Sequence, residues 1–488
     1  MSGIKKLTLL HSNDLHGDFL PEEMEDGSLV GGLSMLSGYV KDMKEKEKNV
    51  IYAIAGDMFR GSVIDSEFKG ISTIELINII SPDVVTLGNH ETDYGVAHLL
   101  FIEKCAKFPI INSNLFIKTN RARLFKPYQI INVDGMNIMF IGVITEEVLS
   151  QTRSESIIGS FIDVWEVANE VGVICDNYRT TSVDLTVLLT HIGFDKDQEL
   201  AKLIDPNWGV DLIIGGHTHT YMDEPCVVNG IPIVQAGMGT NQIGRFDIEI
   251  DTDKKQISSL SWRTVPISSR DCPGDPALDQ VLKGYKSQTD EKYGHIITSF
   301  KRRLTHPSRY QETELGNLMA DLMQVDSSFD VMLFGSGSIR KETLGPLVTY
   351  SDLLECCPYD DPIYMLEVTG EQLRRMLTFM LRDEAFEGDH TEFYQLSRGM
   401  RVLYDRKEHS IKEFRLNGKD IKDDDMIKIA LQEYHYGIFS DAFGFALEEV
   451  TANKRPRMVV TSTFSILEEL LSSSSNLDSR VEGRIEII

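Results

Sequence analysis

The sequence predicts an α/β protein built as two layered domains. Three observations predict it. The first half alternates short, nearly continuous apolar runs with helix-like segments. The chain is 488 residues long, too long for one core. A polar stretch with Pro and Gly punctuation lies near its middle.

The apolar runs are Leu7–Leu10, Val50–Ala55, Val84–Leu87, Ile138–Ile144, Leu185–Leu189 and Leu212–Ile214. Strands this uniformly apolar belong to sheets covered on both faces. Near residue 265 the pattern becomes hairpin-like, in "IPIVQAG", "IGRFDIEID" and "QISSLSW", as expected of a closing antiparallel edge. These elements define a first domain over 1–267, and residues 268–297 read as a partly helical linker or hinge. A second domain spans 298–488. In it "TELGNLMADLM" sets Leu315, Leu318, Met319 and Leu322 on one helical face. "TGEQLRRMLTFML" opens with Thr369 and Gln372 at capping-box spacing and stripes Leu373, Met376, Leu377 and Met380. These stripes read as core. Ser472–Ser475 reads as a surface loop.

A formal net charge of −26 disfavours general adhesion to nucleic acid or to an anionic membrane. An anionic substrate would need a local positive site, such as a metal ion or a few arginines. No stretch approaches the ~18 apolar residues of a membrane span, and Leu7–Leu10 is too short for a secretory core. The six cysteines are scattered without CxxC spacing and read as reduced thiols. The expectation is a cytoplasmic protein with no polymer or membrane partner, as a monomer or homodimer.

Open α/β sheets place ligands at the carboxyl ends of their strands. "LTLL" is followed by Asp14 and His16, "VIYAIA" by Asp57, and "VVTL" by Asn89, His90 and Asp93. "LTVLL" is followed by His191, and "VDLII" by His217 and His219. Any one of these has a bland reading: a lone His is usually surface or core, and Asp after a strand is often a helix cap. Together they bring carboxylates, imidazoles and one carboxamide from five strands to one edge. Oxygen and nitrogen donors without thiolate suit hard and borderline divalent cations.

The ordered set D-x-H, GD, GNH, strand-final His and GHxH resembles the calcineurin-like metallophosphoesterase superfamily. More narrowly, the chain resembles the 5′-nucleotidase/UDP-sugar hydrolase family over nearly its whole length. The resemblance implies a four-layer metallophosphoesterase sandwich followed by an α/β substrate-binding domain that rotates on the linker. It also implies two divalent ions (Mn, Zn, Co or Mg), one held by Asp14, His16 and His219, the other by Asn89, His191 and His217, with Asp57 bridging. His90 matches the family's catalytic histidine, and Asp93, three residues on, is spaced to orient it. Thr92 stands where the family commonly has an aromatic.

In the second half "FGSGSIRK" resembles the family's glycine-rich segment and makes Arg340 a phosphate-side candidate, and "RYQETELGNL" does the same for Arg309. Solvated surface arginine is the plain alternative for both. Gly335 replaces the family's Asn. Tyr359 keeps a π-face where the family has Phe, and Tyr434, Tyr436 or Phe439 are candidates for a second ring, with Asp441 replacing the usual aspartate. The expected activity is hydrolysis of nucleotide phosphoesters, with 5′-nucleotidase leading. A 2′,3′-cyclic nucleotide phosphodiesterase or a nucleotide-sugar pyrophosphatase would use the same centre. A non-catalytic nucleotide sensor predicts eroded ligands, and none is eroded.

Overall fold

The computed structural model describes residues 3–24, 26–117, 120–145, 163–178, 183–324, 329–387, 391–451 and 454–488. The chain divides into two compact units, Met1–Gln288 and Thr289–Ile488.

In the first unit every predicted apolar run coincides with or lies inside a strand, except that the strand of the run Val84–Leu87 ends at Thr86. One six-stranded sheet contains Ile4–Ser12, Val50–Ala55, Val84–Thr86 and Ile110–Ile111 in parallel, closed by the antiparallel strands Gln242–Asp251 and Gln256–Pro266. The other carries Met136–Ile144, Leu185–His191, Leu212–Ile214 and Ile231–Val234 in parallel, with antiparallel strands at both edges. Side chains alternate across a strand, so each run has two apolar faces to cover. Leu7, Leu9, Ile51, Ala53, Val187, Leu189 and Phe246 pack between the two sheets. Leu10, Tyr52, Ile54 and Val85 face helices Leu33–Lys46 and Ile71–Ile80. Leu188 and Ile213 face helices Val164–Asn177 and Phe194–Leu203. This is the four-layer arrangement that the resemblance implies.

One detail differs from the sequence reading. Residues 242–266 form the expected antiparallel edge, but Ile231–Val234 belongs to the other sheet and pairs in parallel with Leu212–Ile214. The turn between them crosses from sheet to sheet. On the way Gly237 N–H donates to Thr220 and Gly239 N–H to Asp14, so apolar alternation alone could not assign that strand's partner.

The segment read as a hinge contains the helix Pro276–Tyr293, and the division between units falls inside it. Its start is built into the first unit: Asp275 accepts from Ser37 Oγ at 2.6 Å and Lys41 Nζ at 2.5 Å, while Leu278 and Leu282 are buried in that core.

The second unit holds a five-stranded mixed sheet in which Val331–Gly335 and Met426–Gln432 run parallel side by side. Helix Gly370–Met380 has the predicted capping box, and Leu373, Met376, Leu377 and Met380 are fully buried. In helix Glu314–Met323, Leu315, Leu318 and Met319 are buried and Leu322 packs partly against them. Helix Thr463–Ser472 ends where the serine loop begins. No helix among the described residues is long and apolar enough to cross a membrane.

Candidate active site

Five parallel strands, three from one sheet and two from the other, deliver the predicted donors to one place. Asp14, His16 and His219 have ligand atoms within 4.8 Å of one another, and so do Asp57, His191 and His217. A third such group joins His16, Asp57 and His90. His16 Nε2 lies 2.9 Å from His219 Nε2, and 3.9 Å from both Asp14 Oδ1 and Asp57 Oδ2. His191 Nε2 lies 3.1 Å from Asp57 Oδ2 and 3.8 Å from Asp14 Oδ1. Asn89 Oδ1 meets His217 Nδ1 at 2.8 Å. All seven predicted metal ligands therefore converge.

The far nitrogens of two imidazoles decide whether these groups suit a cation. His191 Nδ1 faces the Ala55 carbonyl at 2.7 Å and His16 Nδ1 faces the Phe59 carbonyl at 3.2 Å. A carbonyl only accepts, so Nδ1 carries the hydrogen and Nε2 of each neutral ring presents a lone pair. Those lone pairs are aimed at carboxylate oxygens and at another imidazole, in a fully buried setting where His191 Nε2 has no hydrogen bond of good geometry. The arrangement is repulsive unless a positive charge sits among them. In the metal-free chain a proton supplies it. Burial alone would lower His191, but Asp57 and Asp14 overcome it and push its pKa up to about 10. Burial likewise acts to raise Asp57, and His191 and His90 outweigh it and hold that carboxyl well below its usual range. Asp14 goes the other way, raised to about 6 by burial against the pull of His191. Imidazoles anchored through the second nitrogen and carboxylates that share one cation are the pattern of a metal site, and the residues fit a pair of divalent ions.

His90 and Asp93 are joined as the spacing predicts, Nδ1 to Oδ2 at 2.8 Å. The His90 backbone N–H donates to Asp57 Oδ1 at 2.9 Å, which ties this imidazole to the centre of the cluster.

Several functional residues escaped the sequence reading. Glu91 is 1% exposed, and its two oxygens accept from the backbone of Gly88 (2.6 Å), Met58 (2.7 Å), Asp57 (3.0 Å) and Phe59 (3.4 Å). It clamps the GD loop to the GNH loop. Its carboxyl is raised to about 7 by burial and by Asp57, against the pull of those N–H groups. Asn13 bridges Asp14 Oδ2 (2.7 Å) and the Gly237 carbonyl (2.6 Å), and accepts from Ala236. Arg60 reaches Asp93. Glu91 lies inside the GNHE motif, so three-residue spacing from Gly88 was the available signal. For Asn13 and Arg60 the sequence carries none.

In the second unit the predicted residues gather less tightly. Arg309 and Arg340 flank the turn Ser336–Ser338: a side chain added at Gly337 would lie 2.8 Å from Arg309 Nη2, and Arg340 N–H donates to the Cys356 carbonyl at 2.7 Å. Arg309 also lies 3.7 Å from Glu392. Tyr359 and Tyr434 are half-buried and Asp441 is exposed on the helix Phe439–Phe443. Phe439 is buried in the core, which removes it as a stacking ring. Tyr436 stacks on Tyr364 with centroids 4.7 Å apart, so one of its faces is taken. Gly335 has its own explanation: a Cβ there would stand 1.9 Å from His435 Nε2, so His435 fills the space a side chain at 335 would need.

Comparison with known proteins agrees with this geometry. Residues 7–221 match the calcineurin-like phosphoesterase model and 290–445 match the 5′-nucleotidase C-terminal domain model. A snake venom 5′-nucleotidase from Naja atra is 26% identical over 452 residues, covering 83% of this chain and 82% of the relative. Human 5′-nucleotidase is 26% identical over 451 residues, covering 83% and 76%. Among solved structures, a 5′-nucleotidase precursor from Thermus thermophilus superposes with a TM-score of 0.86 at 22% identity over 99% of both chains. The sulfate thiohydrolase SoxB of the same genus has a TM-score of 0.79 at 17% identity, covering 99% of this chain and 96% of that one. That likeness is one of fold, and a fold alone does not fix the reaction it carries out. With a metallophosphoesterase model on one half, a 5′-nucleotidase model on the other and the donor set assembled between two sheets, the chain belongs to the 5′-nucleotidase family of calcineurin-like metallophosphoesterases.

Proposed function

We propose that the protein is a two-metal-dependent hydrolase of nucleotide phosphoesters, and that its specific reaction is that of a 5′-nucleotidase: nucleoside monophosphate and water give nucleoside and phosphate. One observation carries the reading: imidazoles whose second nitrogens are pinned to carbonyls present lone pairs to shared carboxylates. Asp14, His16 and His219 would hold one ion, Asn89, His191 and His217 the other, with Asp57 available to both. Bound there, the ions supply an acidified water and Lewis-acid charge for the phosphoryl oxygens.

The side chains around them do the rest. His90, oriented by Asp93 and tethered through its N–H to Asp57, presents its imidazole to the phosphoryl group and steadies charge in the transition state. Glu91 keeps the Asp57 and Asn89 loops in register. In the second unit Arg309 and Arg340 serve the phosphate side, Tyr359 and Tyr434 offer rings for the base, and Asp441 offers a ribose acceptor. The helix Pro276–Tyr293, in which the units divide, is the hinge of this reading. A cytoplasmic location completes it, on the ground that the six cysteines are scattered without CxxC spacing; recovery of the protein from a secreted fraction would contradict that part.

The test is phosphate release from nucleoside monophosphates, cyclic nucleotides and nucleotide sugars by protein loaded with Mn, Zn, Co or Mg. Monophosphate hydrolysis abolished by chelation is expected, and silence across the whole panel refutes the reading. His90→Ala should lower kcat by about 10²- to 10⁴-fold with both ions retained.

A further inference from the structure

Arg60 stands on the loop that follows Asp57, with its backbone in the left-handed region at φ 66. For a residue with a Cβ this costs roughly 1–2 kcal/mol, and glycine would sit there more comfortably. Nothing in the backbone asks for arginine. The position is nonetheless built around it. Its N–H donates to Asp65 Oδ2 at 3.0 Å, and Asp65 is fully buried and held in turn by Thr73. Its guanidinium lies over the Tyr94 ring, 4.9 Å from the centroid, and the Tyr94 hydroxyl donates to the same Asp65 oxygen at 3.0 Å. The Arg60 Nε then donates to Asp93 Oδ2 at 2.9 Å, the oxygen that also meets His90 Nδ1 at 2.8 Å. These three side chains are 21%, 11% and 12% exposed, so the contact is not a solvent-screened surface pair.

We propose that Arg60 is a positioning residue for the reaction: it fixes the Asp93 carboxylate and, through it, the imidazole of His90. The inference rests on the role given to His90 above. Two donors from different loops converge on one carboxylate oxygen, so that oxygen has one place to be, and His90 has one orientation that meets it. Without the guanidinium, Asp93 is free to swing and the imidazole to turn. The permanent charge also matters where the protein as a whole carries −26: it offsets Asp93 beside a site that must admit a phosphate dianion.

The experiment compares wild type, Arg60→Ala, Arg60→Gly, Asp93→Ala, His90→Ala and Arg60→Gly/Asp93→Ala, all metal-loaded, on a nucleoside monophosphate. Arg60→Gly removes the guanidinium while relieving the backbone, so it folds even where Arg60→Ala is strained. Both Arg60 variants are expected to lose about 10- to 100-fold in kcat, with KM and metal content changed by less than about twofold. Added guanidinium should restore part of the loss. In the double variant the Arg60 change should add little to the loss from Asp93→Ala, because it acts through that residue. Full kcat in Arg60→Gly overturns the inference, as do a loss traced to metal release and a loss that multiplies with that of Asp93→Ala. If His90→Ala itself keeps its kcat, the reading of the site fails with it, and the His90 variant tells the two failures apart.

Discussion

Replacing Glu91 by Gln changes one oxygen for an amide nitrogen in a side chain that is otherwise isosteric. In the wild type Oε2 accepts from Gly88 and Asp57, and Oε1 from Met58 and Phe59. Whichever oxygen the amide keeps, the other pair of buried N–H groups loses its acceptor and faces an NH₂ donor instead. A buried donor left unsatisfied costs about 1–3 kcal/mol. The Phe59 contact is long at 3.4 Å, so the amide should turn to keep the shorter Gly88 and Asp57 bonds on its oxygen. Gln also removes the ionised carboxylate that burial and Asp57 disfavour, which offsets part of that cost, so the expected net loss near neutral pH is about 1–2 kcal/mol.

A loss of that size lowers the melting temperature of a unit this large by roughly 2–8 °C. Thermal unfolding of the metal-free protein, followed for the first unit, reads it. The clamp also sets the spacing between Asp57 and Asn89, so metal affinity should fall about 10- to 100-fold, measured by competition with a chelator. Glu91→Ala, which strips all four donors, should be worse on both counts. If Glu91→Gln melts at or above the wild-type temperature and binds metal equally well, the clamp is not what holds the two loops.

Gly88→Ala tests the same region from the other side. The Gly88 backbone is extended (φ −110, ψ −179), so alanine is conformationally tolerated, yet its Cβ would stand 2.2 Å from Asp57 Oδ1. Loss of bound metal and of most activity is expected, and retention of both ions with more than half the activity would refute the packing argument. Asp211 supplies a pH test away from the centre. Burial raises its carboxyl to about 6, against the pull of the Thr186 N–H. A folded value above the unfolded 3.8 means its stabilising share is complete below pH 3.8 and is lost as pH rises through about 6. Allowing for its partial exposure, Asp211→Asn should gain roughly 1–2 kcal/mol on wild type between pH 4 and 7.5, read as the difference of two melting curves; parallel curves would contradict it.

The metal ligands were legible because each lies within a few residues of the end of an apolar strand, and strand ends are what periodicity marks best. Their partners were not. Asn13 reaches Gly237, Arg60 reaches Asp93 and Glu91 reaches back to Asp57, contacts that depend on how loops from separate strands lie together. The second unit shows the same limit more sharply. An aromatic run such as "EYHYGIF" gives three rings of equal standing in sequence, and only packing sorts them. Phe439 went to the core, Tyr436 against Tyr364, and Tyr434 to a half-buried place against His435. Gly335 reads as a lost asparagine in sequence and as room for His435 in three dimensions.

Backbone conformation links the legible motifs to the chemistry. Asp14, His16, Asp57, His217 and His219 all lie at positive φ, between 48 and 84. An extended strand would send residues i and i+2 to one face, about 6–7 Å apart along the chain. Here the turns after the strands fold D-x-H and H-x-H back on themselves, which brings His16 Nε2 and His219 Nε2 within 2.9 Å of each other. Each left-handed non-glycine residue costs of order 1 kcal/mol or more, and five in one cluster is a sum that local preference alone would not sustain. The neighbouring turns hold them: Asp14 N–H donates to the Gly56 carbonyl, His16 N–H to the Asp57 carbonyl, and His217 N–H to the two side-chain oxygens of Asp14. Those bonds run between loops that each contribute ligands, so the loops enforce one another's strain before any ion arrives. A site assembled this way binds its cations with little rearrangement, and a fault in one loop is felt in all of them.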